Sequence, residues 1–222
     1  MNKPQHIIDH RTAVGKNDIR NLPLILGLYR NYKTNLYHHS VHVAKLSSFI
    51  AEKLGYSDRE VREIFFGGLL HDFGKLYIPL EILNKPGKLS DREYSIVRRH
   101  TEKGYLELRK RGFGANESVK RIVLEHHERL DGSGYPYNLT AEEIYIGSKI
   151  IMVADVITAI FYPRAYSPAR PYSLIRKILR EEKGTKLSTK VVEVVQQECD
   201  TGERLKEIFG DKEAELMPSI TA

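Results

Sequence analysis

The chain predicts an all-α domain of roughly seven to eight helices. Apolar residues recur at three- and four-residue steps along most of the sequence. Two Ser-Asp-Arg-Glu tetrapeptides, at Ser57 and Ser90, have the form of helix-opening capping boxes. Strand-type alternation of useful length is missing, and there is no internal repeat.

A first helix is predicted from about Ile19 to Tyr32, with Leu22, Leu24, Ile25, Leu26 and Leu28 apolar and Pro23 tolerable near its start. A second runs from Leu36 to Leu54, where Val43, Leu46, Phe49, Ile50 and Leu54 share a face and Gly55 supplies a stop. Ser57 to Glu60 opens a third that reaches His71, and Ser90 to Glu93 opens a fourth that passes through His100 to about Lys110. Another spans Ser118 to about Glu128. The breaker-rich Asp131 to Asn138 segment is a loop, and Thr140-Ala141-Glu142-Glu143 caps the apolar segment around Asp155. Pro163 ends that helix, Pro168 to Pro171 form a second break, and helices over 172–183 and 188–208 close the chain. The residues before about Asn17 and after Gly210 are expected to fray.

At 222 residues the chain has ample length for one substantial core, and its apolar and charged content is that of a soluble globular protein. No apolar run approaches the roughly 20 residues needed to span a bilayer. The start lacks a basic segment followed by an apolar one, so secretion is not expected. Cys199 is the only cysteine, which rules out an intrachain disulfide and a thiolate metal cluster and suits the cytoplasm. A formal charge of +6 suits an anionic partner, but the basic clusters Arg109-Lys110-Arg111 and Arg176-Lys177 are short. No interleaved aromatic and basic stripe marks a groove for polymeric nucleic acid.

The chemistry-bearing residues form a ladder: His39, His71-Asp72, His100, His126-His127 and Asp155. Imidazoles and carboxylates spread over helical segments are the ingredients of a buried multi-metal site. Asp155 stands inside Ile150-Ile151-Met152-Val153-Ala154-Asp155-Val156-Ile157, where a carboxylate costs several kcal/mol unless a cation or donor network compensates it. An adjacent His and Asp near a helix end, as at 71 and 72, can enter one cavity, and a carboxylate can bridge two metals where an imidazole cannot. Two metals about 3.5–4 Å apart activate water and stabilise in-line displacement at phosphorus. Lys75 can neutralise a phosphate oxygen. Adjacent histidines on a helix diverge by about 100°, so His126 and His127 reach one site only at a helix end or across two metals. The glycine-rich loop after them allows close backbone approach, with Tyr135 available to stack on a base or bond a phosphate.

Taken together, Leu69 to Lys75 resembles the HD signature, and His126 to Pro136 resembles the His-His-Glu to Gly-Tyr-Pro signature of HD-GYP domains. His39-Ser40, Lys85-Pro86-Gly87, His100, Gly104, Glu142-Glu143-Ile144 and Val153-Ala154-Asp155 fall in that family's order, over about residues 35–200. The resemblance implies an HD-domain-like helical bundle. It divides the chain into an N-terminal extension with one helix (1–34), an HD-GYP domain (35–210) and a C-terminal tail (211–222). It further implies a metal-dependent phosphodiesterase that hydrolyses cyclic di-GMP to linear pGpG, GMP or both. One metal would be held by His39, His71, Asp72 and Asp155, with Asp72 bridging to a second on His100, His126 and His127. Lys75, Tyr135 and Arg164 would face the substrate. The donor set suits iron or manganese first, with zinc, nickel or cobalt as alternatives.

The chain also departs from the pattern. Asn35 stands where some members place a third-metal Glu, which favours two metals. Ser167 stands where a second arginine is usual, and Arg170 is a candidate substitute. His38 and His42 are expected to be solvated or structural. Only about 34 residues precede the resemblance, too few for a separate sensor, so a regulatory protein acting in trans is one expectation. Two other readings compete: a catalytically silent cyclic-dinucleotide or protein-binding module, and a phosphohydrolase of other nucleotides.

Overall fold

A computed structural model describes residues 27–30, 34–110, 116–161 and 171–209. The regular structure of these residues is helical, joined by turns and loops, with two isolated bridges (Asp131 to Thr140, Lys183 to Leu187) and no named strand. The elements are α1 (Thr34–Lys53), α2 (Asp58–Leu70), a 3-10 turn (Phe73–Tyr77), α3 (Leu80–Leu83), α4 (Asp91–Arg98), α5 (His100–Lys110), α6 (Glu117–Glu125), α7 (Ile146–Phe161), α8 (Tyr172–Glu182), α9 (Thr189–Glu198) and α10 (Gly202–Phe209).

Both expected capping boxes form. The hydroxyls of Ser57 and Ser90 accept from the backbone of Glu60 and Glu93, whose carboxylates accept from the serine amides. Each box fixes a helix start at about 1 kcal/mol. Thr140 and Glu143 make similar side-chain contacts, but they close a turn, and α7 begins at Ile146. The helix expected over Ser90 to Lys110 is two. Arg99 caps α4, its amide turning back to the carbonyls of Ile96 and Val97, and α5 restarts at His100. Likewise, 188–208 breaks at Cys199, which caps α9 before α10. Of the helix expected over Ile19 to Tyr32, residues 27–30 are described and are helical.

The core has two lobes. In one, α7 contributes Ile150, Ile151, Met152, Val153 and Ile157 against Val43, Leu46 and Ile50 of α1 and the inner faces of α8, α9 and α10. Buried aliphatic side chains such as these contribute up to about 1.5–3 kcal/mol each. The second lobe gathers Leu36, Tyr37, Phe66, Leu69, Leu70, Phe73, Leu108 and Val123. Tyr29 is fully buried in this lobe, so the core draws on residues on the N-terminal side of the 34/35 boundary. The candidate metal-ligating side chains converge from α1, the α2 end, α5, the α6 end and α7.

Candidate metal centre

α1 and α2 pack along one another, and α1 also lies against α7. That arrangement delivers His39 from the middle of α1, His71 from the C-cap of α2 and Asp155 from α7. Asp72 follows His71 as the N-cap of the 3-10 turn, at φ −95° and ψ 10°, the sparsely populated bridge region. His100 opens α5, while His126 caps α6 and His127 follows it. The helix end is how two adjacent histidines share one site: their ring centroids lie 4.2 Å apart.

The backbones of the 3-10 turn and α5 almost touch. A Cβ on Gly74 would lie 1.7 Å from the carbonyl oxygen of His100, and one on Gly104 would lie 3.0 Å from the amide nitrogen of Gly74. Two glycines therefore allow the approach that sets His100 beside Asp72.

Three of the imidazoles are oriented in the same way. Nδ1 of His71, His100 and His126 lies 2.7, 2.7 and 2.9 Å from the carbonyl oxygens of Gly68, Val97 and Val123, each three residues earlier. A carbonyl only accepts, so each Nδ1 donates, and in the neutral ring Nε2 is left with its lone pair. These lone pairs converge. Nε2 of His100 and Nε2 of His126 are 3.2 Å apart, and they lie 3.3 and 3.9 Å from Oδ1 of Asp72. On the other side, Nε2 of His71 is 3.3 Å and Nε2 of His39 is 3.7 Å from Oδ2 of Asp72. His39 Nε2 also lies 3.1 Å from Oδ1 of Asp155.

Ligand-type atoms thus gather into two groups, each spanning no more than 4.8 Å: Asp72, His100, His126 and His127 in one, His39, His71 and Asp72 in the other. Asp72 belongs to both. Nε2 of His71 and Oδ1 of Asp72 are buried with no hydrogen-bond partner among the described residues. Facing lone pairs and an unpaired buried carboxylate oxygen are electrostatically unfavourable unless a cation lies between them. The donor set therefore fits metal ions, and the cluster could hold them.

Charge is arranged to keep these groups ready to ligate. Burial pushes the Asp72 carboxyl up, but Lys75, His71 and His100 outweigh it and hold it well below the usual carboxylate range. Asp155 is likewise held low, His39, His71 and His127 overcoming its burial. Burial, reinforced by Lys75 and His71 and only partly offset by Asp72, pushes His100 down to about 4. Burial and the neighbouring imidazoles take His126 and His127 well below the ordinary value. Burial also lowers His39, against the opposing pull of Asp155. His71 is the exception: burial works against its charged form, but Asp72 overrides it and raises the pKa. Of the two acids Asp72 is the more enclosed, its side chain 1% exposed against 17% for Asp155, so apolar neighbours in sequence mislead about which acid is deeper.

Lys75 extends from the 3-10 turn, its Nζ 2.6 Å from Oδ2 of Asp72. Tyr135 stacks on His127 with centroids 4.8 Å apart, and the Arg98 guanidinium carbon sits 4.5 Å from the Tyr135 ring centre. The Tyr135 ring is therefore packed within the protein by the His127 imidazole and the Arg98 guanidinium. Glu128 fastens this loop. It is fully buried and accepts from the amides of Tyr137 (2.7 Å) and Leu139 (2.9 Å), while the Tyr135 amide donates to the His127 carbonyl (3.1 Å). A Cβ at Gly134 would meet the Glu128 Cα at 2.3 Å, which is why the loop needs glycine there. Sequence reasoning assigns no part to Glu128 or Arg98; the available signals are that one follows the paired histidines and the other precedes His100 by two residues. His42 is half-buried against Phe209, in agreement with a structural part. Arg164, Ser167 and Arg170 lie outside the described residues.

A family model described as HD domain matches residues 23–191. The chain belongs to the HD domain family. This HD domain is 40% identical over 167 residues to a cyclic di-GMP phosphodiesterase of Pseudomonas aeruginosa, covering 72% of this chain and 39% of the relative. It is 34% identical over 184 residues to the 3'3'-cGAMP-specific phosphodiesterase 1 of Vibrio cholerae, covering 82% and 42%. A cyclic di-GMP phosphodiesterase of Thermotoga maritima is 38% identical over 169 residues, covering 76% and 45%. The chain thus spans about two fifths of the length of these curated relatives. Among solved structures, Bd1817, an HDG"Y"P protein from Bdellovibrio bacteriovorus, superposes with a TM-score of 0.61 at 21% identity, covering 75% of this chain and 53% of that one. The PgpH HD domain of L. monocytogenes in complex with cyclic-di-AMP gives 0.58 at 18%, covering 85% and 98%. These two likenesses establish the shared helical fold.

Proposed function

We propose that this HD domain is a metal-dependent phosphodiesterase that hydrolyses cyclic di-GMP to linear pGpG, GMP or both. The observation that carries the reading is Asp72, one buried carboxylate shared between two histidine groups with Lys75 2.6 Å away. Relatives named as cyclic di-GMP phosphodiesterases at 38–40% identity support the substrate class. His39, His71, Asp72 and Asp155 would hold one divalent metal, and Asp72, His100, His126 and His127 a second. Iron or manganese suits this set of imidazoles and carboxylates, and such a pair supplies Lewis acidity for in-line displacement at phosphorus.

The chain's own groups do the rest. Lys75 can turn from Asp72 to a phosphate oxygen and offset the charge that develops there. Burial raises the pKa of the Tyr135 hydroxyl, so it stays a neutral donor facing the substrate. Arg164 is assigned to a phosphate by the sequence resemblance alone. Asn35 is exposed in the first turn of α1 and is a poor ligand, which favours two metals over three. We place the activity in the cytoplasm, where a lone buried Cys199 is at home, with regulation by a protein acting in trans. Among the described residues no helix is long and apolar enough to cross a membrane.

The test is anaerobic incubation of iron- or manganese-loaded protein with cyclic di-GMP, products resolved by chromatography, with Asp72→Ala alongside. Conversion by the native chain and its loss in the variant is the expected result. No conversion at confirmed metal occupancy would sink the cyclic di-GMP reading, and conversion of 3'3'-cGAMP in its place would move it to that nucleotide.

A further inference from the structure

The arm beyond Tyr135 has no assigned role. Tyr94 and Arg98 lie four residues apart on α4, so they share a face. The Arg98 guanidinium carbon is 6.0 Å from the Tyr94 ring centre and 4.5 Å from that of Tyr135. Two aromatic rings therefore hold a planar cation at the mouth of the His127 side of the centre, and His100 begins α5 two residues later. The Arg98 guanidinium makes no hydrogen bond or ion pair with any described residue, unlike the ammonium groups of Lys85 and Lys75 nearby, which pair with Glu93 and Asp72. Tyr94 is 49% exposed, a large ring open to solvent beside the site. A guanidinium without a carboxylate partner among the described residues, set between two aromatic rings of which one is open, is built to meet something from solution.

We infer that Arg98 and Tyr94 form a base-reading arm for the substrate, with Arg98 donating to the O6 and N7 edge of a guanine and Tyr94 stacking beside it. The inference rests on the cyclic-dinucleotide reading above and adds the residue that selects the base. Guanine offers two acceptors on that edge, which match the guanidinium fork. Adenine offers one acceptor and one donor, and the donor meets a group that can only donate. Lysine keeps the charge but lacks the fork, so it cannot replace arginine here.

Native chain, Arg98→Ala, Arg98→Lys and Tyr94→Ala, each manganese-loaded, would be given an equimolar mixture of cyclic di-GMP and cyclic di-AMP. The relative rates of disappearance report the ratio of kcat/KM. Bis(p-nitrophenyl) phosphate, which carries no base, would be assayed in parallel, and unfolding midpoints would confirm that each variant is folded. The native chain should prefer the guanine substrate by about tenfold or more, and both Arg98 variants should bring the ratio to within about twofold. Tyr94→Ala should slow both dinucleotides but not the base-free diester. An unchanged ratio in both Arg98 variants, a parallel slowing of both dinucleotides there, or a native preference for adenine would overturn the arm and leave the phosphodiesterase standing. Cleavage of the base-free diester alone would overturn the cyclic-dinucleotide reading and the arm with it, and cleavage of none of the three would overturn the phosphodiesterase itself.

Discussion

His42 shows how much one imidazole depends on where its neighbours put it. It is three residues from His39 on α1, yet its ring packs against Phe209 of α10 with centroids 5.0 Å apart. Burial, with His38, Lys45 and His39 adding positive charge, holds its pKa down to about 3. The folded chain therefore binds fewer protons at this ring than the unfolded chain does. The stability that depends on a neutral His42 is present above about pH 6.5 and is lost as the pH falls below it. In urea titrations of metal-free protein at pH 7.5 and pH 5, His42→Gln should lose less stability on acidification than the native chain. Equal losses would show that the ring has no part in acid sensitivity. His39 sits beside an acid and His42 beside a benzene ring, and the sequence gives only a weak hint of that difference, because the α10 contact is long-range.

At the scale of elements, the crossing of the 3-10 turn and α5 and the loop after α6 decide the site's shape. Alanine at Gly74 would drive a methyl group into the His100 carbonyl, so Gly74→Ala should cost about 3 kcal/mol or displace His100. Gly104→Ala meets its nearest atoms at 3.0 Å and should cost about 1 kcal/mol. Calorimetry should rank the two in that order, and the reverse order would mean that the crossing relaxes differently. Glu128→Ala leaves the Tyr137 and Leu139 amides without their acceptor and should cost about 2 kcal/mol while freeing Tyr135 from His127. A Tyr135 fluorescence or hydrogen-exchange signal unchanged in that variant would show that the loop holds itself. The residues that cluster here stood out in the sequence as imidazoles and carboxylates on helical segments, Asp155 by its apolar run, while their division between two metals rests on the family resemblance. The breaks at Arg99 and at Cys199 were not legible, because apolar spacing continues across both. Arg98 escaped because its partner, Tyr135, reaches it from a distant loop.

For the whole molecule, the ligand-type atoms tie α1, α2, α5, α6 and α7 together at one point. An ion that binds only the folded chain stabilises it by mass action. At a free metal concentration one hundred times its dissociation constant the gain is about 2.7 kcal/mol, and in a chain of this size that raises the unfolding midpoint by about 5–10 °C. Thermal scans across a manganese titration should show that rise, and Asp72→Ala should abolish it. An unchanged midpoint in native protein would argue against ions being held by the five helices together. The all-α class and most helix starts were readable from periodicity and the two serine caps. The two-lobed core was not, since which apolar faces meet is a property of packing.

Gly74 and Gly104 separate the architecture from the chemistry it carries. They are needed because two backbones pass within touching distance, whatever side chains stand at 72 and 100. A related chain could lose every imidazole and still require both glycines to fold this way. The spacing of a glycine two residues after the acid and another four after the histidine is therefore a fossil of the fold. It offers a means of finding descendants that have abandoned catalysis, where a search for ligands would pass them by.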